Sequence, residues 1–173
     1  MPEFDVVDLG PADHPEPGDR APDFTRPLVT AEFWEDRSLS ELVAESGDTD
    51  PTILVFFPMA GSFLATYVLD ELADRGWDRR AAHVVGVTAA NPYGVKGLLE
   101  DGEYPFSLFS DPANDVAASY GIAHDLDGMA GVGEPRLAFF ALDPDLTVEA
   151  AWVAAEWPEF PDYDDLEERL GLE

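Results

Sequence analysis

Few residues in this chain could do chemistry, and their spacing shortens the list further. Histidine occurs only at 14, 83 and 124, so gaps of 69 and 41 residues leave no local metal-ligand spacing. No metal site is expected; His83 is placed at a strand entrance and the other two in loops. Asp125-x-Asp127-Gly128 has the opening of a calcium loop but lacks the downstream ligands and the closing Glu, so it reads as a solvated turn. Gly128, Gly131 and Gly133 are followed by Glu134-Pro135 and a strand. A dinucleotide-binding fingerprint instead follows a strand and opens a helix, so a flexible loop is expected. Gly61-Ser62 is no nucleophile elbow, because Gly-x-Ser-x-Gly is absent. Ser62 is read as a helix cap or as lining an empty pocket. Cysteine is absent altogether. That excludes a disulfide framework, a thiolate zinc site, an iron–sulfur cluster and a thiol nucleophile.

The charge excludes further classes. The 173 residues carry 37 acidic and 9 basic side chains, a formal net charge of −28. Such a field repels nucleic acid and anionic membranes, and phosphate contacts need Lys and Arg, of which this chain has only nine. Lys96 is the only lysine. Acid-rich, lysine-poor composition resembles cytosolic proteins of salt-accumulating organisms, where a Debye length of about 3 Å in molar salt screens the self-repulsion. A halophilic, cytoplasmic protein is therefore expected. Hydrophobic content of 46% suits a folded domain. The longest apolar run, Ile53 to Phe57, is too short to span a bilayer. The acidic start lacks a basic region followed by an apolar one, so no signal peptide is expected.

The positioning elements follow from periodicity and punctuation. Residues 1–17, rich in Pro, Asp and Glu, read as an acidic N-terminal arm, mobile or loosely docked, and residues 18–173 as one domain. A short strand is predicted over Phe24–Val29, interrupted by Pro27. Ser38 and Glu41 have capping-box spacing for a helix to about Glu45 that Gly47 ends. Pro51–Phe57 and His83–Val87 read as strands buried on both faces. Helical spacing predicts a helix from Phe63 to Arg75. Asn91-Pro92 and Asp111-Pro112 open two more, flanking a short strand at Phe106–Phe109. Leu137–Leu142 and Thr147–Val153 read as a hairpin, and Tyr163–Leu170 as a last helix whose acidic run, 162–168, faces solvent. Trp34 and Trp77 are assigned to ordinary packing. Trp152, Trp157 and Phe160 are assigned to a core or dimer interface. The order predicts an α/β sheet with a parallel start and an antiparallel end.

Several segments resemble the peroxiredoxin, or alkyl hydroperoxide reductase/thiol-specific antioxidant, family. Gly18-Asp19-Arg20-Ala21-Pro22-Asp23-Phe24 is similar to its opening segment. Phe56-Phe57-Pro58-Met59-Ala60-Gly61-Ser62 is similar to the strand exit before the peroxidatic cysteine. Ser110-Asp111-Pro112 with Ala117, Tyr120 and Gly121, and Phe140 with Asp143, are similar to later segments. The resemblance covers about residues 18 to 153. It implies a thioredoxin-like three-layer α/β/α sandwich around a central mixed sheet, with the peroxiredoxin elaboration.

The same resemblance locates a site and shows what it lacks. The family pattern Pro-x-x-x-Thr/Ser-x-x-Cys falls on Pro58, Ser62 and Ala65. A methyl group cannot attack an O–O bond, since the thiolate is the nucleophile. Where many relatives have a Glu three residues later, this chain has Val68. The family's later Arg falls on Leu137, with Arg136 one residue out of register and expected on the opposite face of a strand. A lone Cys-to-Ala replacement would leave that Glu and Arg in place, so a naturally cysteine-free pocket is expected. The implied function is a non-catalytic binding or interaction module with Pro58, Ser62, Ala65 and, out of register, Arg136 around a vestigial pocket. No catalytic residue and no cofactor are expected. Expected partners are a second copy, as a homodimer, another protein, or a small anion or polar ligand at the helix N-terminus. The alternatives are a thiol peroxidase whose cysteine comes from a native or partner chain, and a structural subunit of an oligomer.

Overall fold

The computed structural model describes residues 6–45, 51–80, 83–124, 130 and 133–172. The expected stop at Gly47, the Asp125-x-Asp127 turn and most of the 128–133 loop lie outside these residues. Eleven strands and five α-helices are described: β1 Val7–Asp8, β2 Thr25–Val29, β3 Trp34–Ser38, α1 Leu39–Glu45, β4 Thr52–Phe56, α2 Phe63–Asp74, β5 His83–Thr88 and α3 Pro92–Gly102. Then come β6 Ser107–Ser110, α4 Asp115–Ser119, β7 Ala123–His124, β8 Glu134–Pro135, β9 Ala138–Leu142, β10 Val148–Val153, β11 Glu156–Trp157 and α5 Tyr163–Leu170.

Seven strands form one mixed sheet in the order β10-β9-β4-β5-β6-β2-β3. β4, β5 and β6 are parallel, and β9, β10, β2 and β3 extend the sheet antiparallel on either side. Every residue of β4 and β9 is buried, as expected where helices cover both faces. The core is accordingly double. Ile53, Val55 and Phe139 pack with Leu69, Leu72 and Trp77 and with Leu99, Leu166 and Leu170 on one side. Leu54, Phe56 and Phe140 pack with Leu39, Val43, Val116 and Tyr120 on the other. This is the three-layer mixed α/β sandwich that the sequence implies. Gly86 in β5 lets the layers close: a Cβ there would lie 2.3 Å from Leu108 and 2.4 Å from Phe57.

The structure corrects several local readings. Strand β3 was not foreseen, because Trp-Glu-Asp-Arg-Ser is an edge strand with two exposed acids and no apolar alternation. Ser38 ends that strand and does not cap α1. The Asp23 carboxylate accepts the Ser40 N–H at 2.9 Å instead, a partner 17 residues away that no local motif discloses. Pro27 does not interrupt β2; it sits opposite Asp36 on the outer side of the sheet. Asp111-Pro112 does not open a helix, since α4 starts at Asp115 behind Asn114 at φ 61°. The buried Asp111 carboxylate accepts the Val116 N–H at 2.8 Å and pairs with Arg26 at 3.2 Å. His124 lies in β7, not in a loop.

The acidic run of α5 is not wholly solvated. Glu167 is buried, accepts the Trp77 indole N–H at 2.9 Å and pairs with Arg75 at 2.8 Å and with Arg80. Arg80 also donates to the Leu172 carbonyl. These contacts tie the C-terminal helix to the end of α2. Among the described residues, no helix is long and apolar enough to cross a membrane.

Candidate functional site

The site begins where β4 leaves the sheet. Phe57 donates its N–H to Val87, and the chain then turns through Pro58 to Ser62 into α2. The Ser62 N–H closes the turn on Met59 O at 3.0 Å, with Gly61 at φ 93°, a conformation that favours glycine. Ser62 then caps α2: its Oγ accepts the Ala65 N–H at 3.3 Å. Two further loop donors are held by side chains from other elements. The Glu134 carboxylate, at the start of β8, accepts the Met59 N–H at 2.8 Å, and Thr88 Oγ1, at the end of β5, accepts the Ala60 N–H at 2.9 Å. The Thr88 hydroxyl lies 3.4 Å from Pro58 O, as a donor. Glu134 is itself buried, and its second oxygen stands 3.5 Å from His124 Nε2.

Sequence reasoning missed Glu134, Thr88 and His124. Glu134 follows a glycine-rich stretch that reads as a flexible loop. Its burial depends on β7 and β8 pairing, His124 opposite Glu134, which two-residue strands do not announce.

The four residues singled out in the sequence go to different places. Ala65 sits in the first turn of α2, 1% exposed, among the apolar residues that pack α2 on the sheet. Val68, one turn on, is fully buried in the same cluster. Pro58 and Arg136 line one small chamber, together with Leu9, Leu64, Leu137 and Trp157. Ser62 and Ala65 are not part of its lining. Arg136 and Leu137 line the same chamber because β9 does not begin until Ala138, so strand alternation does not govern them. The Arg136 N–H bonds to Ile122 O, outside the main sheet.

The Arg136 guanidinium is already occupied. Nη1 donates to Gly10 O at 2.9 Å and Ala154 O at 3.2 Å, and Nη2 donates to Leu9 O at 2.9 Å. Its Nε is buried with no hydrogen-bond partner among the described residues. Burial pulls this arginine below its ordinary value, opposed by the charge of Asp8. The loop therefore offers capped amides, the Ser62 hydroxyl that caps α2, a buried carboxylate and, at position 65, a methyl group. Arg136, beside it, is spent on backbone carbonyls.

A thioredoxin-like α/β/α sandwich with a capped turn between its central strand and the following helix defines a redoxin-type scaffold. The AhpC/TSA family profile matches residues 17–151, and the chain belongs to that family. It is similar to the crystal structure of the peroxidoxin BcpB from Mycobacterium tuberculosis, at 25% identity and TM-score 0.66, over 92% of this chain and 96% of that one. AhpC from Enterococcus faecalis shares the fold at 16% identity and TM-score 0.70, over 91% of each chain. A thiol peroxidase from Chromobacterium violaceum shares it at 22% identity and TM-score 0.69, over 95% of this chain and 90% of that one. A comparison with curated proteins finds no match.

Proposed function

We propose that this chain is a non-catalytic member of the AhpC/TSA family that works by binding a protein partner beside the 58–62 turn. One observation carries the reading. Ala65, where the resemblance puts the nucleophilic cysteine, is 1% exposed and packed into the apolar cluster under α2, in a chain without cysteine. A cysteine offered by another chain would not reach that buried position.

Two features favour a protein over a small anion. The Ser62 cap takes the Ala65 amide, and the buried Glu134 carboxylate stands at the Met59 amide, where it repels a second negative charge. Next to the turn, Phe63 and Tyr67 meet edge to face at 5.5 Å, and Tyr67 lies 6.3 Å from Phe160. Tyr67 and Phe160 are 44% and 40% exposed, an aromatic surface of the kind enriched at protein interfaces. A homodimer is one form of this contact. A cytoplasmic location belongs to the same proposal and rests on the acid-rich, lysine-poor composition.

The test is hydrogen peroxide consumption by the unmodified chain in molar salt with dithiothreitol. The rate expected is that of dithiothreitol alone. Turnover proportional to protein concentration would overturn the proposal.

A further inference from the structure

The segment before the domain is seated on the chamber as a strand. β1 pairs antiparallel with β11, Val7 opposite Trp157 and Asp8 opposite Glu156. The Leu9 N–H continues the ladder to Ala155 O at 2.9 Å. Leu9 lines the chamber with Pro58, Leu137 and Trp157, and the carbonyls of Leu9, Gly10 and Ala154 accept the three hydrogen bonds from Arg136. The outer end of the segment is exposed, whereas Ala12 and His14 beyond it pack against the core. Val6 is 61% and Val7 36% exposed, and Gly10, at φ 72°, turns the chain into Pro11.

Among the described residues, Arg136 forms no hydrogen bond to a carboxylate; all its acceptors are backbone carbonyls. Two of those three carbonyls belong to the segment. A guanidinium buried this deeply cannot be left without acceptors. Whatever strand lies along β11 must therefore present its carbonyls to Arg136 and an apolar side chain to the chamber. These are the two elements of recognition by strand addition: main-chain bonds for affinity and a side-chain pocket for specificity.

We infer that β11, Arg136 and the chamber form a strand-accepting groove, occupied in this chain by its own residues 7–10. An extended segment of a partner protein, with an apolar side chain at the Leu9 place, takes the groove when those residues leave. This rests on the binding role proposed above and gives that role a mode. Commitment to a strand follows from the ladder the segment already makes. An acidic or phosphorylated anchor is disfavoured, because Glu156 and Glu159 flank the chamber.

The probe is a fluorescein-labelled peptide, Val-Val-Asp-Leu-Gly-Pro, the sequence of residues 6–11, added to the full chain in molar salt and followed by anisotropy. Leu9→Asp in the protein weakens the resident segment and is expected to tighten peptide binding at least about tenfold over the unmodified chain. Asp8→Cys with Glu156→Cys locks the segment down. Facing residues of an antiparallel pair lie about 4.5–5.5 Å apart, within disulfide reach, and no other cysteine competes. The oxidised lock is expected to abolish binding and its reduction to restore it. Amide exchange at Leu9 is expected to be far faster than at Val55 in β4. Failure of a folded Leu9→Asp chain to bind the peptide, or Leu9 exchange as slow as Val55, would overturn the inference. A concentration-dependent dimer in light scattering that the lock abolishes would make a second copy's arm the occupant, and would overturn the assignment to a foreign partner. None of these readouts involves peroxide, so their failure is distinct from failure of the non-catalytic reading.

Discussion

A single buried carboxylate now organises the turn that the family uses for chemistry. Glu134 accepts the Met59 amide and faces His124, while Thr88 accepts the Ala60 amide, so two donors of the turn are held by side chains from other elements. Removing that acceptor leaves a part-buried N–H unpaired, which costs about 1–3 kcal/mol. Glu134→Ala is expected to lower the unfolding free energy from urea titration in molar salt by that much. An unchanged value for Glu134→Ala would show that the turn does not depend on it. Tyr104 supplies a second residue-level expectation. Burial, then the hydrogen bond to Asp70, pushes its hydroxyl up to about 12. A group whose value is raised in the folded state contributes stability below its unfolded value, here about 10, and loses it as pH rises through its folded one. Stability is therefore expected to fall between about pH 10 and 12. Tyr120 and Tyr163, also raised by burial, act in the same direction. Tyr104→Phe is expected to flatten the first part of that decline in a denaturant titration at successive pH values.

At the level of elements, the last helix is clamped by one buried acid. Glu167 holds the Trp77 indole and the Arg75 and Arg80 guanidiniums, and Arg75 also pairs with Glu71 and Asp164. Both arginines are partly exposed, which discounts the pairs, but the Trp77 N–H is buried and would lose its acceptor. Glu167→Ala is expected to cost about 1–3 kcal/mol and to speed amide exchange in α5 more than in α3. Equal acceleration in both helices would mean that the clamp is not local.

The same helix shows what a sequence reveals of its own elements. Its N-cap, Asp162, and its closing Gly171 are legible because capping is local. The inward turn of Glu167 is not, because its partners lie about 90 residues away. The buried runs of β4 and β9 and the cap at Ser62 are likewise plain in the residues. β3, with its charged edge, and Glu134, whose burial depends on two-residue strands, are not. The place of Arg136 is not legible from strand alternation, because β9 begins only at Ala138.

For the molecule as a whole, the net charge of −28 sets the conditions under which these contacts hold. Only nine basic side chains oppose 37 acids, and five of the arginines are drawn into ion pairs or the Arg136 site. Screening shortens the Debye length from about 10 Å at 0.1 M to about 3 Å at 1 M salt. The melting temperature is expected to rise by several degrees between those salt concentrations; a fall would mean that the ion pairs outweigh the self-repulsion. On the proposed non-catalytic reading, the departure from the family pattern extends over the whole site and is not confined to one sulfur. Ala65 is packed in the core, Val68 stands in place of an acid, and Arg136 holds the arm's carbonyls. The most direct measurement is the stopped-flow rate of Ala65→Cys with hydrogen peroxide in molar salt, the unmodified chain serving as blank. A thiol buried in apolar surroundings, without a free cation beside it, has a raised pKa and is a poor nucleophile. Its rate is expected to stay within about tenfold of free cysteine, with none in the blank. A variant that reacts orders of magnitude faster than free cysteine, or a blank that reacts at all, would contradict this account.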